Sequence, residues 1–340
     1  MKEKATSFDI AYRAGVSQST VSRALRNSPL VNEVTRQKVQ AIARELNYKV
    51  DKNASNLRSQ QSDTIALLLF EELTTNNSAI NPFFLSMLGS ITRACSKRGY
   101  DLLVSFQQAS TDWHADFENS NKADGLILLG YGDYVDYEIK LVQLIAQNTH
   151  FVRWGAEVKN LPLISVGCDN FQGGKEATEH LIKQGKNKLA FLGSASSHAP
   201  EFFDRYKGHC QALKDNHLVA NQSLQFNALH TEDAGYSAAC ELLASGEKFD
   251  GIFAACDLIA IGAMRALQEH NIHIPEQVAI VGFDDIAIAR FTFPPLTTVK
   301  QDTKLAGELL VDTLLDLIAG KEATTSLITP ELVVRKSSVI

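Results

Sequence analysis

From residue 64 onward, short apolar runs alternate with stretches whose apolar residues recur every three or four positions. The short runs fall at 64–70, 101–107, 124–129, 150–154, 188–193, 224–229, 250–255 and 278–283, and have the length of buried strands. The stretches 83–98, 173–184, 203–216, 234–245 and 258–270 carry the period of amphipathic helices. Strand–helix alternation of this extent predicts an α/β body of doubly wound parallel sheets. Two sheets of about six strands suit it better than one. Ligands in such folds bind at the carboxyl ends of strands, here in a cleft between two lobes.

The first 62 residues follow a different pattern. Thr6-Ser7-Phe8-Asp9 fits a capping box, with the Thr6 hydroxyl and the Asp9 carboxylate each accepting a backbone N–H. Phe8, Ile10, Ala11 and Ala14 are predicted to face inward. Gly15 suits the left-handed turn that ends one helix and opens the next. Ser17 is a good N-cap for a second helix over 18–25, with Val21, Ala24 and Leu25 as its buried stripe. That leaves Gln18, Ser19, Ser22 and Arg23 outside, near the helix end where a recognition helix meets base edges. After the break at Asn27-Ser28-Pro29, Asn32 can cap a third helix over 33–47. Its candidate core positions are Val34, Val39, Ile42, Ala43 and Leu46. Three short helices with a tight glycine turn predict an all-α helix-turn-helix headpiece over 1–48. Residues 49–62, KVDKNASNLRSQQS, are polar and read as a linker. The body then runs over 63–340, with lobe crossovers expected near 165–170 and 292–302.

Charge sharpens this division. The whole chain carries 33 Lys+Arg against 39 Asp+Glu, a formal charge of −6. Residues 1–62 alone carry 11 basic and 5 acidic side chains, so a basic headpiece precedes an acidic body. That asymmetry is the footprint of a nucleic-acid module joined to something else. The five cysteines form no CxxC pair, and the nine histidines show no metal spacing, so no metal site is expected. No apolar run approaches the ~20 residues that span a bilayer, and MKEKATSFDI has no apolar signal core; a cytoplasmic protein without membrane contact is expected. Gly130-Tyr131-Gly132 lacks the third glycine of a dinucleotide turn, and GxxxxGK[ST], GxSxG and HExxH are absent. Neither catalysis nor a cofactor is expected.

The run Ala14-Gly15-Val16-Ser17, followed by Thr20-Val21-Ser22-Arg23, carries a specific resemblance. Residues 6–48 resemble the headpiece of the lactose-repressor/galactose-repressor (LacI/GalR) family of bacterial transcriptional regulators. The resemblance extends through Asn81-Pro82-Phe83-Phe84, Arg205-Tyr206-x-Gly208, Asp257-x-x-Ala260-x-Gly262-Ala263, Val281-Gly282-Phe283-Asp284-Asp285 and the Pro295–Asp302 run to nearly the full chain. It implies a body like that of periplasmic sugar-binding proteins. It implies that Gln18 and Ser19 read bases, that Arg23 supports them, and that Thr20 is a further DNA contact. Thr6, Ser17, Ser22, Asn32 and Thr35 are implied to approach phosphates, which position without specifying. The linker is implied to form a hinge helix on operator DNA, with Ala54 and Leu57 entering the minor groove. Val50-Asp51, Ser55 and Cys256 depart from the family pattern.

Arg205 and Asp284 match family positions that hydrogen-bond the effector. A guanidinium fork and a carboxylate can each bind two sugar hydroxyls; a salt bridge between them is the alternative. Trp154 offers an apolar face for a pyranose ring, with core packing as its alternative. Phe83 and Gln301 are further candidates, and Asp257 is expected to cap the helix over 258–270. The resulting expectation is a homodimeric repressor on a palindromic operator, controlled by a small molecule. A sugar, weakly a glucoside or oligosaccharide, is preferred to a purine or another co-repressing metabolite. The reading from another class is a sugar-binding protein without a DNA role, which the basic headpiece opposes.

Overall fold

The computed structural model describes residues 5–48, 61–70, 72–73, 78–130, 132–157 and 161–339. The chain divides into two compact units, Met1–Ser62 and Asp63–Ile340.

The first unit holds three helices: α1 (Ser7–Ala14), α2 (Gln18–Leu25) and α3 (Glu33–Glu45). Each starts on a side chain that accepts a backbone N–H: Thr6 from Asp9, Ser17 from Thr20, and Asn32 from Thr35. The capping box at Thr6 is complete, because the Thr6 N–H also donates to Asp9 at 2.7 Å. Gly15 lies at φ 68°, the left-handed conformation that lets the chain turn within three residues. Ile10, Val21, Ala24 and Val39 are completely buried and form the centre of this unit. Burial of a side chain the size of Ile10, Val21 or Val39 is worth roughly 1.5–3 kcal/mol.

Two predicted core positions lie outside it. Phe8 is 67% exposed and Val34 is 79% exposed. Ile10, Ala11 and Ala14 already form the inner stripe of α1, and Phe8 falls on its flank. Val34 sits on the far side of α3 from Val39 and Ala43. At helical spacing, apolar character alone does not choose the face.

The second unit contains two six-stranded sheets. In the first lobe the strands are β1 (Thr64–Leu69), β4 (Asp101–Phe106), β5 (Gly125–Leu129), β6 (Phe151–Trp154), β7 (Ser165–Cys168) and β13 (Ser326–Ile328). Their order is β13-β7-β6-β5-β1-β4, parallel throughout. The second lobe has β8 (Leu189–Leu192), β9 (Gln225–Phe226), β10 (Gly251–Ala254), β11 (Ala279–Asp284), β12 (Thr297–Lys300) and β14 (Glu331–Val333). Its order is β14-β12-β11-β10-β8-β9; only the β12–β14 pair is antiparallel. A two-stranded ribbon, β2 (Glu72–Leu73) with β3 (Ser78–Ala79), follows β1.

Helices α4 (Pro82–Lys97), α5 (Tyr134–Ala146) and α10 (Thr303–Ile318) cover the first sheet. Helices α6 (Asn170–Lys183), α7 (Pro200–Asp215), α8 (Glu232–Ala244) and α9 (Asp257–Glu269) cover the second. The chain passes between lobes three times: between β7 and α6, between β12 and α10, and between β13 and β14. The third passage carries no periodic signal, because β13 and β14 have three residues each. The run at 224–229 contributes only the two residues of β9. No helix among the described residues is long and apolar enough to cross a membrane.

Candidate functional site

Both sheets reverse their strand order, one between β1 and β5 and the other between β8 and β10. In open α/β sheets, ligands bind outside the carboxyl ends of the strands at such a reversal. Candidate residues come to this face from both lobes.

On the second lobe, Arg205 of α7, Asp284 at the end of β11 and Gln301 after β12 form one buried cluster. The Gln301 amide donates to Asp284 Oδ1 at 2.7 Å, and Arg205 Nη1 lies 3.7 Å from the same oxygen. Arg205 also donates through Nε to Asn170 Oδ1 at 2.8 Å and through Nη1 to the Ala255 carbonyl. Its guanidinium carbon sits 3.7 Å from the centre of the Phe283 ring. Burial pushes the Asp284 carboxyl up to about 6, with Arg205 and Gln301 pulling the other way. The backbone is strained at the same place: φ is 114° at Asp284 and 53° at Asp285. Such conformations cost on the order of 1–3 kcal/mol each and persist where the surroundings hold them.

On the first lobe, Trp154 ends β6 and packs against Phe83 of α4, ring centres 5.9 Å apart; Phe84 meets Phe83 edge-on at 5.4 Å. Trp154 and Phe83 are both buried among the apolar residues of the body. The two groups are linked where the Ala156 N–H donates to Glu201 Oε1 at 2.8 Å. Glu201 lies one turn before Arg205 on α7. A second inter-lobe tie runs from the Tyr134 N–H to the His198 carbonyl at 3.0 Å, with His198 Nδ1 2.6 Å from Asp133 Oδ2.

Three residues at this face were not singled out by the sequence. Asn170 orients Arg205. Phe202 lies beneath the same guanidinium at 5.3 Å, and His230 meets Phe202 edge-on at 6.3 Å. His230 also lowers the pKa of Asp284 through its charge. A lone Asn or His in a polar stretch carries no periodic signal; only the turn after β9 brings His230 inward.

Asp257 does not cap α9. The cap position belongs to Cys256, whose side chain makes no capping bond. The Asp257 carboxylate instead accepts the Ile286 N–H at 2.8 Å and the Thr298 hydroxyl at 2.5 Å. At the first position inside the helix the side chain points away from the free N–H groups, so the neighbouring turn claims it.

Arg153 is fully buried at the end of β6 beside Tyr134, its carbon 5.6 Å from the ring centre. It donates to the Ala156 carbonyl, while Nε and Nη1 have no hydrogen-bond partner among the described residues. An isolated buried guanidinium is costly. Arg153→Met is therefore expected to raise the melting temperature of the ligand-free protein; a fall of several degrees in a thermal unfolding scan would refute the view that this charge is a net cost.

In the headpiece, Ser19 and Arg23 are exposed on α2, and Thr20 and Ser22 are partly exposed. Gln18 instead donates to the Ser7 hydroxyl at 2.7 Å, tying α2 back to α1. Ser17 Oγ lies 2.8 Å from both Ser19 Oγ and Thr20 Oγ1, so three hydroxyls cluster at the start of the helix. Thr6 and Asn32 are exposed and Thr35 is partly exposed. Ala54 and Leu57, with Val50, Asp51 and Ser55, lie outside the described residues.

Residues 8–51 match the bacterial regulatory proteins of the lacI family, and residues 178–338 match the periplasmic binding protein-like domain. The chain belongs to the lacI family of bacterial regulatory proteins. It is similar along its length to the HTH-type transcriptional repressor PurR of Haemophilus influenzae (strain PittEE), at 29% identity over 98% of each chain. Among solved structures it is similar to a lac repressor dimer bound to operator and the anti-inducer ONPF. That match has a TM-score of 0.84 and 26% identity, covering 99% of this chain and 100% of the other. It is also similar to a transcriptional regulator CelR–cellobiose complex, with a TM-score of 0.73 and 28% identity over 98% and 99% of the two chains. As a lacI-family member the chain is a transcriptional regulator, with a helix-turn-helix headpiece on a two-lobed body.

Proposed function

We propose that this lacI-family protein is a repressor that binds a palindromic operator as a homodimer and is controlled by a sugar in the cleft between its lobes. The observation that carries the reading is the presence of two groups of complementary chemistry, one on each lobe, linked by the Ala156–Glu201 hydrogen bond. The second lobe offers Arg205, Asp284 and Gln301, a charged hydrogen-bonding cluster suited to hydroxyls. The first lobe offers the Trp154 and Phe83 rings, suited to the apolar face of a pyranose. The cellobiose complex of a similar regulator supports the same class of ligand.

In this reading Ser19, and Gln18 once released from Ser7, contact base edges beside Arg23 and Thr20. Thr6, Ser17, Ser22, Asn32 and Thr35 meet phosphates. Ala54 and Leu57 serve as the minor-groove wedge. A second copy of the chain would cover the exposed apolar residues Leu103 and Val104 on the edge strand β4, and Ile288, Phe291 and Phe293 beyond β11. Two headpieces related by a twofold axis then fit a symmetric operator.

The test is linkage. Cellobiose and a panel of other sugars and purines are titrated calorimetrically into the free protein and into its operator complex. A sugar that releases operator must bind the complex more weakly, by the same factor that it lowers operator affinity, typically 5–150-fold. Equal sugar affinity in both states would sink allosteric control, and binding of purines alone would replace the sugar.

A further inference from the structure

The left-handed turn that ends β11 needs something to hold it. Asp284 and Asp285 are consecutive non-glycine residues at positive φ. Asp257, from the neighbouring helix α9, is completely buried and commits both carboxylate oxygens to this turn. Oδ2 accepts the Ile286 N–H at 2.8 Å, and Oδ1 accepts the Thr298 hydroxyl at 2.5 Å. The Thr298 oxygen in turn accepts the Asp285 N–H at 3.4 Å. The far side of the turn is held by Arg335, which pairs with Asp285 at 2.6 Å and donates to the Leu296 carbonyl at 2.8 Å. Gly282 makes the approach possible: a Cβ there would stand 2.3 Å from Asp257 Oδ1. A carboxylate at the start of a helix ordinarily serves that helix; this one serves the turn that bears Asp284.

We propose that Asp257 is a positioning residue of the effector site: through Ile286 and Thr298 it fixes the turn that aims the Asp284 carboxylate at Arg205 and Gln301. The inference rests on the reading of Asp284 as an effector ligand. Asp257 is completely buried and its carboxylate is held by Ile286 and Thr298, so it acts through the turn. It sets the direction of the one carboxylate in the cluster, and so the hydroxyl geometry that the second lobe accepts. Thr298 completes the tie.

The experiment uses the full-length protein with Asp257→Asn, Thr298→Val, Thr298→Ser and Asp284→Asn. Amide hydrogen exchange reads the turn without a ligand. In Asp257→Asn and Thr298→Val, peptides over residues 284–296 should exchange at least tenfold faster, with headpiece peptides unchanged. Thr298→Ser, which keeps the hydroxyl, should restore slow exchange. Cellobiose titration reads the consequence. Asp257→Asn and Asp284→Asn should each weaken binding at least tenfold, and the double variant should bind no more weakly than Asp284→Asn alone. Unchanged exchange over the turn overturns the proposal, as does a loss of affinity that adds in full to that of Asp284→Asn. If Asp284→Asn leaves cellobiose affinity unchanged, the effector role of Asp284 fails, and the positioning role fails with it.

Discussion

Arg205→Lys is expected to reduce sugar affinity at least tenfold while operator affinity without sugar stays within about twofold of the wild type. The reason is geometry rather than charge. Arg205 bonds Asn170 and Ala255, faces Asp284 at 3.7 Å, and sits over the Phe283 ring. A lysine keeps one positive charge but offers neither the fork nor the plane. Lysine is the informative replacement because alanine would do more. Removing the guanidinium leaves Asp284 buried without its cation, a loss of about 3–5 kcal/mol for a broken buried pair. A domain with only about 5–15 kcal/mol of total stability would feel that everywhere. Calorimetric titration and operator gel-shift assays, with urea unfolding as control, separate these effects. Wild-type sugar affinity in a folded Arg205→Lys protein would remove Arg205 from the site.

Gly208→Ala and Gly262→Ala are expected to cause a large loss of stability. At Gly208 a Cβ would come within 2.1 Å of the Phe171 carbonyl oxygen, and a Cβ on the reciprocal Gly174 would stand 2.2 Å from the Arg205 carbonyl oxygen. Helices α6 and α7 therefore touch backbone to backbone, and the same contact fixes the helix that carries Arg205. Helices α8 and α9 repeat the arrangement: Gly262 would clash with the Glu232 carbonyl at 2.0 Å and Gly235 with that of Ile259 at 2.3 Å. The obstacle in each case is main chain, which does not step aside, so the helices must separate and lose close packing along their length. Overpacking costs of about 1–3 kcal/mol or more apply at each site. With roughly 2–4 °C per kcal/mol for a body of this size, a fall of roughly 2–12 °C is expected, or failure to accumulate as soluble protein. Gly89→Ala is the control. It lies within α4 with nothing within 4 Å of its Cβ position, so alanine should leave stability unchanged or slightly raised. A melting temperature for Gly208→Ala equal to that of Gly89→Ala would show that the helices yield cheaply.

Much of the architecture was legible because it depends on local periodicity. Caps at Thr6, Ser17 and Asn32 need only side-chain chemistry within a few residues. The alternating runs foretold two sheets of six strands for the same reason. Elements too short to show a period escaped: β9 shrank to two residues, and the three-residue strands β13 and β14 hid the third lobe crossing. Exposure was less legible than helix formation. Phe8 and Val34 are apolar at helical spacing yet stand in solvent, because other residues already fill the inner faces of their helices.

The candidate cleft divides in the same way. Arg205, Asp284, Gln301 and Phe83 lie in recognisable motifs, and Trp154 is marked by its place at the end of a predicted strand. Their grouping into a polar cluster on one lobe and an aromatic pair on the other came from strand order. Asp257 shows the limit most clearly. Its place at the start of a helix pointed to a cap, and its partners turned out to be Ile286 and Thr298, 29 and 41 residues away.

The sequence by itself determined a basic three-helix headpiece, an acidic body of alternating strands and helices, and the residue types available for recognition. Periodicity, capping and charge balance depend on neighbours in the chain, and neighbours in the chain are what a sequence displays. Only the tertiary structure decided that Gln18 folds back onto Ser7, that four glycines let two helix pairs touch, and that a buried aspartate steadies the turn bearing Asp284. Those outcomes depend on which distant residue fills the space beside each group. That is settled when the sheets stack and the lobes meet.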